Sequence, residues 1–498
     1  MNIHKNIKQL LAEEDLFYKE NKEDENKEDE NKENLEPIES IFMIKLKHVS
    51  GWVRTVRSSS QSLTFCVIND GSNVDGLQIV LNSEIMDETY IEDFNDRVST
   101  GSYIECQGTI GISPAQGQDY EMQMHNFQVI GSVETKYPLA KGKINLDTLR
   151  NYYHLRGRTN TFGSVFRIRS ALMKYSSQFF DKHEFLHLDP NIITINDCEG
   201  GGEAFKVTEQ DFTVKSDNPE QGKYTWNNDH FRRPAYLTVS SQLQLEAMAC
   251  SLGNCYTMNK SFRAEHSNTR KHLSEFTHLE IEMIQNSMED LMNIGEEYIK
   301  FCIKQLLTHH KPDIENLNAF VSKGLLNRLE TIISQKFIII TYHDVVSEVN
   351  QDIMKQQLPL ELLKMGDDLS AKHEDYITQK YNNGVFVTKW PMSLKSFYMK
   401  QDEQDDTCYS FDLLMPYGIG EIIGGSQREE NYEKLVHMME KKGMNQDNLS
   451  FYTDLRKYGT CPHGGFGLGF ERLCMLTTGM NNIRDVVPFP VCYESCNY

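Results

Sequence analysis

The chain has no run of about 18 apolar residues long enough to cross a membrane, and it opens without the hydrophobic region of a secretory leader. No membrane is expected, and a cytoplasmic location is. None of its eleven cysteines falls in a CxxC pair, so neither a zinc ribbon nor a redox motif is indicated, and reduced thiols are expected. Neither GxGxxG nor GxxxxGK[ST] occurs, which leaves dinucleotide-binding and P-loop readings without support. An excess of positive charge is also missing. The net charge is −21, which at first counts against a nucleic-acid partner. The acid is unevenly placed, however. Residues 13–39 hold thirteen Asp/Glu against four Lys, and the repeat "NKEDENKEDENKE" within them has no apolar side chain. Such a segment cannot bury enough surface to offset its ordering entropy, so residues 1–42 are expected to be a disordered acidic extension. Nucleic-acid binding must then be judged on the remaining chain.

At 498 residues more than one domain is expected. Residues 43–134 read as four or five short strands with turn signals at Ser58–Ser60 and Asp70-Gly71, which suits an OB-fold barrel. Arg54, Arg57, Phe65 and Gln78 on such a barrel could supply backbone contacts, a stacking surface and a base-edge reader. Residues 135–160 read as a hinge. From Phe162 onward, Val165, Ile168, Leu172, Tyr175 and Phe179 are spaced for one packed helix face. A second helix is expected over 288–307, opened by Ser287 and Asp290 as a variant capping box. A third is expected near 429–442. Residues 308–380 mix helix and strand, and strands dominate from 383. Strands that mostly adjoin in sequence, with helices between them, make 161–498 an α+β domain: an antiparallel sheet flanked by helices.

Four stretches carry chemistry. In "SFRAEHSNTRKHLSEFTHLEIEM" (261–283), Leu279, Ile281 and Met283 alternate with Glu280 and Glu282, the period of a strand with one packed face. Arg263 and Glu265 are expected on one face of the preceding strand, the two forming a hairpin whose charged wall suits a phosphate and an amine. In "GGFGLGFERL" (464–473), Gly465, Gly467 and Gly469 leave one strand face bare for a flat ligand, with Arg472 at the start of a helix from about Glu471. In "SFDLLMPYGIGEIIGGSQREE" (410–430), Asp412 and Glu421 bracket a turn and could both reach Mg²⁺, while Arg428 follows a Gly-Gly-Ser turn. In "SSQLQLE" (240–246), Gln242 can hydrogen-bond a small polar ligand.

Together these segments resemble the class II aminoacyl-tRNA synthetases of the aspartyl/asparaginyl/lysyl subgroup, and within it the asparaginyl enzymes, over about residues 47–490. "FRAEHSNTRKHLSEF" is similar to motif 2, "GGFGLGFERL" to motif 3, and the helix leading to "LDPNIIT" to motif 1; "DCEGGGEAF", "LTVSSQLQLE", "GEIIGGSQREE" and "NIRDVVPFP" are also family-like. The resemblance implies ATP and Mg²⁺, L-asparagine and tRNA(Asn) as partners, and a homodimer built through motif 1. It implies that Arg263 holds the ATP α-phosphate and the amino-acid carboxylate, Glu265 accepts from the adenine amino group, Phe276 and Arg472 sandwich the adenine, and His272 and Arg472 reach the γ-phosphate. Asp412 and Glu421 would carry the metal. Glu199, Ser240, Gln242, Glu280 and Arg428 would bind asparagine, with Arg428 donating to the side-chain oxygen and Glu280 accepting from the NH₂. Leu245 stands where aspartate-activating relatives have lysine, a second count for asparagine. Phe65 and Gln78 would read the central uridine of the anticodon. His266, Lys271 and Val491 depart from the family pattern, so the handling of the tRNA acceptor end is the least defined part. An aspartate-activating enzyme and a catalytically idle tRNA-binding paralogue are the competing expectations.

Overall fold

The computed structural model describes residues 5–15, 46–134, 136–140, 144–196, 204–210, 226–444 and 446–497. The chain divides into two compact units, residues 1–164 and 165–498. The acidic repeat and Glu199 lie outside the described residues.

The first unit is a closed five-stranded barrel. Strands β1 (Lys47–Ser60), β2 (Leu63–Asn69), β3 (Leu77–Asn82), β4 (Tyr103–Ile112) and β5 (Tyr120–Gly131) run in the order β1-β2-β3-β5-β4, with β4 closing on β1. Val49, Val53, Cys66, Ile68, Leu77, Ile79, Ile104 and Met122 fill the interior at alternate positions. Two helices add to this core. Residues 7–15 form α1, which buries Ile7 and Leu10, and α2 (Glu88–Arg97) buries Ile91 and Phe94. α1 corrects the expectation that all of 1–42 is disordered. Two apolar side chains one turn apart reach the barrel core, and the α1 amides of Ile7 and Lys8 donate to Asp70 Oδ2 at 2.8 Å and Ser72 Oγ at 3.1 Å. The expected hinge holds two one-turn helices, α3 (Leu146–Leu149) and α4 (Tyr153–Arg156).

The second unit is built on an eight-stranded sheet. Its strands are β6 (Leu186–His187), β9 (Cys255–Phe262), β10 (Glu275–Ile284), β11 (Ile338–Thr341), β12 (Val385–Thr388), β13 (Ser410–Met415), β14 (Gly420–Gln427) and β15 (His463–Gly469). A separate two-stranded sheet pairs β7 (Ile193–Thr194) with β8 (Tyr236–Leu237). The order β11-β12-β13-β14-β15-β10-β9-β6 is antiparallel through the middle; only the outermost pairs, β11/β12 and β6/β9, are parallel. The sheet is therefore mixed, where an antiparallel one was expected.

Helix α5 (Asn160–Lys182) enters this unit, and Val165, Ile168, Leu172, Tyr175 and Phe179 are all buried, as their spacing predicts. Next come α6 (Gln242–Leu252), α7 (Met288–His309), α8 (Lys311–Phe320), α9 (Leu325–Ser334), α10 (Tyr342–Gln356) and α11 (Ala371–Tyr381). α12 (Tyr432–Lys441), α13 (Ser450–Lys457) and α14 (Phe470–Thr478) complete the set. α7 starts at the expected cap: Ser287 Oγ accepts from the Asp290 amide, and the Asp290 carboxylate accepts from the Ser287 amide. α7 packs on β14 and β15 through Gly295, where a Cβ would sit 3.2 Å from Ile423 and 3.6 Å from Phe466. Leu279, Ile281, Ile423, Phe466 and Leu468 thus form the sheet's apolar face.

Candidate active site

The opposite face of the same strands carries the polar chemistry. Register places Glu280 beside Gly467, Gly467 beside Gly424, and Gly424 beside Asp412, in one row across four strands. Directly paired residues of antiparallel strands project to one side, so two carboxylates end a row whose middle is bare backbone. A Cβ on Gly467 would lie 2.4 Å from His278 Nε2, and one on Gly424 would lie 3.0 Å from Glu421 Oε1.

β10 is buried on both faces, not half-exposed as the alternation suggested, because groups from outside the strand cover its polar side. The Glu280 carboxylate accepts from Ser240 Oγ and from the Ser241 amide at 3.0 and 3.1 Å, and lies 3.3 Å from His278 Nδ1. Glu282 accepts from Arg428 Nε and Nη2 at 3.1 and 2.9 Å, a bidentate pair with both partners buried. Arg428 does not follow a Gly-Gly-Ser turn. Gly424, Gly425 and Ser426 are strand residues of β14, and Gly425 is there because a Cβ would strike the Phe411 ring at 2.5 Å.

A cleft opens beside this row. Arg263, Glu265, Lys271, His272, Phe276, His278, Glu421, Gly467, Gly469 and Arg472 line it. β9 ends at Phe262, so Arg263 and Glu265 stand just beyond the strand face expected for them. The Arg263 amide still donates to the Ser274 carbonyl at 3.0 Å, which holds its side chain at the cleft. The Arg263 guanidinium lies 5.6 Å from the centre of the Phe276 ring and 3.8 Å from the Glu265 carboxylate. His272 Nδ1 pairs with Ser267 Oγ at 2.9 Å and Thr269 Oγ1 at 2.7 Å. Burial lowers the His272 pKa despite Glu265, and Arg472, Arg263 and Lys271 add to that. Arg472, in the first turn of α14, donates to the Glu421 carbonyl. Glu471 beside it accepts from Arg169 Nη2 at 2.8 Å and the Thr277 amide at 3.0 Å. That link ties α14 to α5 and β10.

Asp412 and Glu421 converge near Gly424. Burial pushes the Asp412 carboxyl up to about 7; Lys395, whose Nζ donates to Oδ2 at 2.5 Å, opposes this and the Glu421 charge reinforces it. Two hard-oxygen donors converging on bare backbone suit Mg²⁺. Lys395 and His278 gave no signal in the sequence; each is recognised only by what it touches.

The other residues expected to bind asparagine lie away from the open cleft. Ser240 and Gln242 form the entrance of α6, and Gln242 Nε2 donates to Glu246 Oε1 at 3.0 Å. Ser240, Gln242, Glu280, Arg428 and Asp412 are outside the lining of the open cleft. Two departures from the family pattern, His266 and the segment after Val491, meet: the His266 and Tyr493 rings stack at 4.9 Å, and the Val491 carbonyl accepts from the Ser274 amide at 2.8 Å. In the barrel, Phe65 of β2 pairs with Val80, and Gln78 of β3 with Val67, which sets them diagonally on one face. Arg57 lies 5.6 Å from the Phe65 ring centre, and Gln78 Nε2 donates to Glu121 Oε2 at 3.1 Å.

Residues 145–492 match the family model of tRNA synthetases class II (D, K and N), and residues 48–130 match that of the OB-fold nucleic acid binding domain. The chain is 40% identical to an asparagine--tRNA ligase of Bacteroides fragilis, over 89% of this chain and 94% of that one. Its fold is similar to asparaginyl-tRNA synthetase from Pyrococcus horikoshii complexed with asparaginyl-adenylate, with TM-score 0.78 and 29% identity over 91% of this chain and 96% of that one. It is also similar to the Entamoeba histolytica asparaginyl-tRNA synthetase, with TM-score 0.77 and 29% identity over 92% and 98% of the two chains. With barrel, sheet, cleft and both family matches in agreement, the chain belongs to the class II tRNA synthetases of the D, K and N family.

Proposed function

We infer that the cleft is where this chain, an asparagine–tRNA ligase, makes asparaginyl-adenylate and pyrophosphate from L-asparagine and ATP before passing asparagine to the 3′ end of tRNA(Asn). The observation that carries the assignment is the convergence of Arg263, Glu265, His272, Phe276 and Arg472 on one cleft floored by Gly467 and Gly469. In this reading the adenine lies between Phe276 and Arg472 with its amino group toward Glu265. The amino-acid carboxylate oxygen bonds to the α-phosphorus as the bond to pyrophosphate breaks. Arg263 donates to the α-phosphate oxygens as their charge grows, and His272 offers a hydrogen bond to the γ-phosphate. The protein supplies position and electrostatics, with no nucleophile of its own. Asp412 and Glu421 would hold Mg²⁺, which when bound supplies positive charge to phosphate oxygens.

At the other end of the site, Ser240, Gln242, Glu280 and Arg428 receive asparagine, joined by Glu199. Phe65 and Gln78 face the anticodon. A homodimer through α5 and the strand after it, and a cytoplasmic location, complete the proposal. Arg263→Ala tests it. Asparagine-dependent ATP–pyrophosphate exchange should fall by about 10²–10³, as when one donor to a developing oxyanion is removed. Exchange within twofold of wild type would contradict the assignment.

A further inference from the structure

Behind the amino-acid end of the site lies a buried knot of charge that the adenylation chemistry does not use. Glu246 of α6 is its hub. Its Oε2 accepts from Tyr452 Oη at 2.7 Å and Arg456 Nη2 at 3.0 Å and faces His463 Nε2 at 3.1 Å. Its Oε1 accepts from Gln242 and lies 3.7 Å from Arg428 Nε. Arg428 is thus enclosed by two carboxylates, Glu282 in bidentate contact and Glu246 behind, while its Nη1 donates to Ser426 Oγ at 2.7 Å. The pair rests against the bare strand, where a Cβ on Gly465 would lie 3.0 Å from Arg428 Nη2. Arg456 is tied down as well, its Nε donating to the Glu429 carbonyl at 2.9 Å. In this knot two carboxylates, Glu246 and Glu282, are shared among Arg428, Arg456 and His463, while Glu280 lies apart beside His278.

This arrangement matters because an unpaired guanidinium favours a carboxylate over an amide: charge-assisted hydrogen bonds are the stronger ones. An arginine that meets the substrate side chain with its charge intact would select aspartate. We propose that Glu246 is a specificity-determining residue that, with Glu282, cancels the Arg428 charge, so that the guanidinium offers the substrate a hydrogen-bond donor but no counter-ion. An asparagine amide oxygen needs only the donor. An aspartate carboxylate needs both and meets Glu280 besides. Glu246 also fixes Gln242, so one carboxylate bears on two of the polar groups that receive the amino acid. The inference rests on the reading that Arg428 meets the substrate side chain.

The test is ATP–pyrophosphate exchange with asparagine and with aspartate on wild type, Glu246→Gln and Arg456→Gln, with KM for ATP and thermal melting as controls. Removing one negative charge in Glu246→Gln should lower the asparagine-to-aspartate ratio of kcat/KM by about tenfold or more, with KM for ATP unchanged. Removing one positive charge in Arg456→Gln should leave the ratio at or above the wild-type value. A purely structural knot would move both variants the same way, with both substrates losing in proportion; that result, or an unchanged ratio in Glu246→Gln, overturns the proposal. Should Glu246→Gln fail to fold, Glu282→Gln removes the other counter-charge and carries the same expectation. Absence of asparagine-dependent exchange in the wild type would instead overturn the site assignment itself.

Discussion

Gly467 shows how the site was legible at the scale of single residues and where that legibility stopped. The alternation Gly465, Gly467, Gly469 marks a bare strand face in the sequence, and the structure sets Glu280 on one side of Gly467 and Gly424 on the other. The group that makes glycine necessary, His278, was not legible, because it lies nearly two hundred positions away in the chain. Gly467→Ala should cut asparagine-dependent exchange by about a hundredfold, the scale of a 1 Å misplacement, while melting stays near wild type; exchange within twofold would show that the row is not a ligand floor. The Glu246 knot was equally hidden. Tyr452, Arg456 and His463 belong to α13 and β15, and no local pattern ties them to a glutamate in α6. His463 gives this knot a pH signature. Burial would lower its pKa, but the hydrogen bond and charge of Glu246 more than reverse that and hold it above the ordinary 6.5. A raised folded-state pKa means the proton stabilises the fold; that stability is complete below about pH 6.5 and is lost as pH rises through the folded value. Melting temperature should therefore decline above pH 6.5, and His463→Gln should flatten that decline. An unaltered profile in the variant would remove His463 from the account.

Elements were read best where one face or one cap decides them. α5 and α7 follow from apolar spacing, and the Ser287/Asp290 cap places the start of α7. Ser287→Ala should cost about 1 kcal/mol, visible as a lower urea midpoint at unchanged slope. Where the structure departs from the local pattern, the physical origin is tertiary cover that periodicity cannot see. β10 reads as half-exposed because its alternate residues are glutamates, yet α6 and Arg428 bury that side. "GGS" reads as a turn because glycine pairs often break structure, yet in β14 the glycines make room for Phe411 and for the carboxylates. α1 reads as part of a charged tail because an excess of acid follows it. Its two buried residues are enough to dock it, so Ile7→Ala should destabilise the barrel by about 2–3 kcal/mol, measured as a lower melting temperature of that unit. No shift in melting would place α1 off the barrel in solution.

For the whole molecule, the fold class and the two-part plan were legible because a barrel's short strands and a helix-flanked sheet differ in period and in spacing. The two parallel outer pairs of the sheet were not, since strands as short as β6 and β11 leave little pattern. The proposed homodimer predicts sedimentation at twice 57.7 kDa at micromolar concentration, and a monomer mass would count against it. In the proposed function, the row from Glu280 to Asp412 and the cleft beside it activate asparagine. ATP–pyrophosphate exchange by the purified wild-type protein, run with asparagine and with aspartate in parallel, tests this most directly. Exchange with asparagine and none above background with aspartate is the predicted result. Exchange with aspartate, or with neither amino acid, would contradict it.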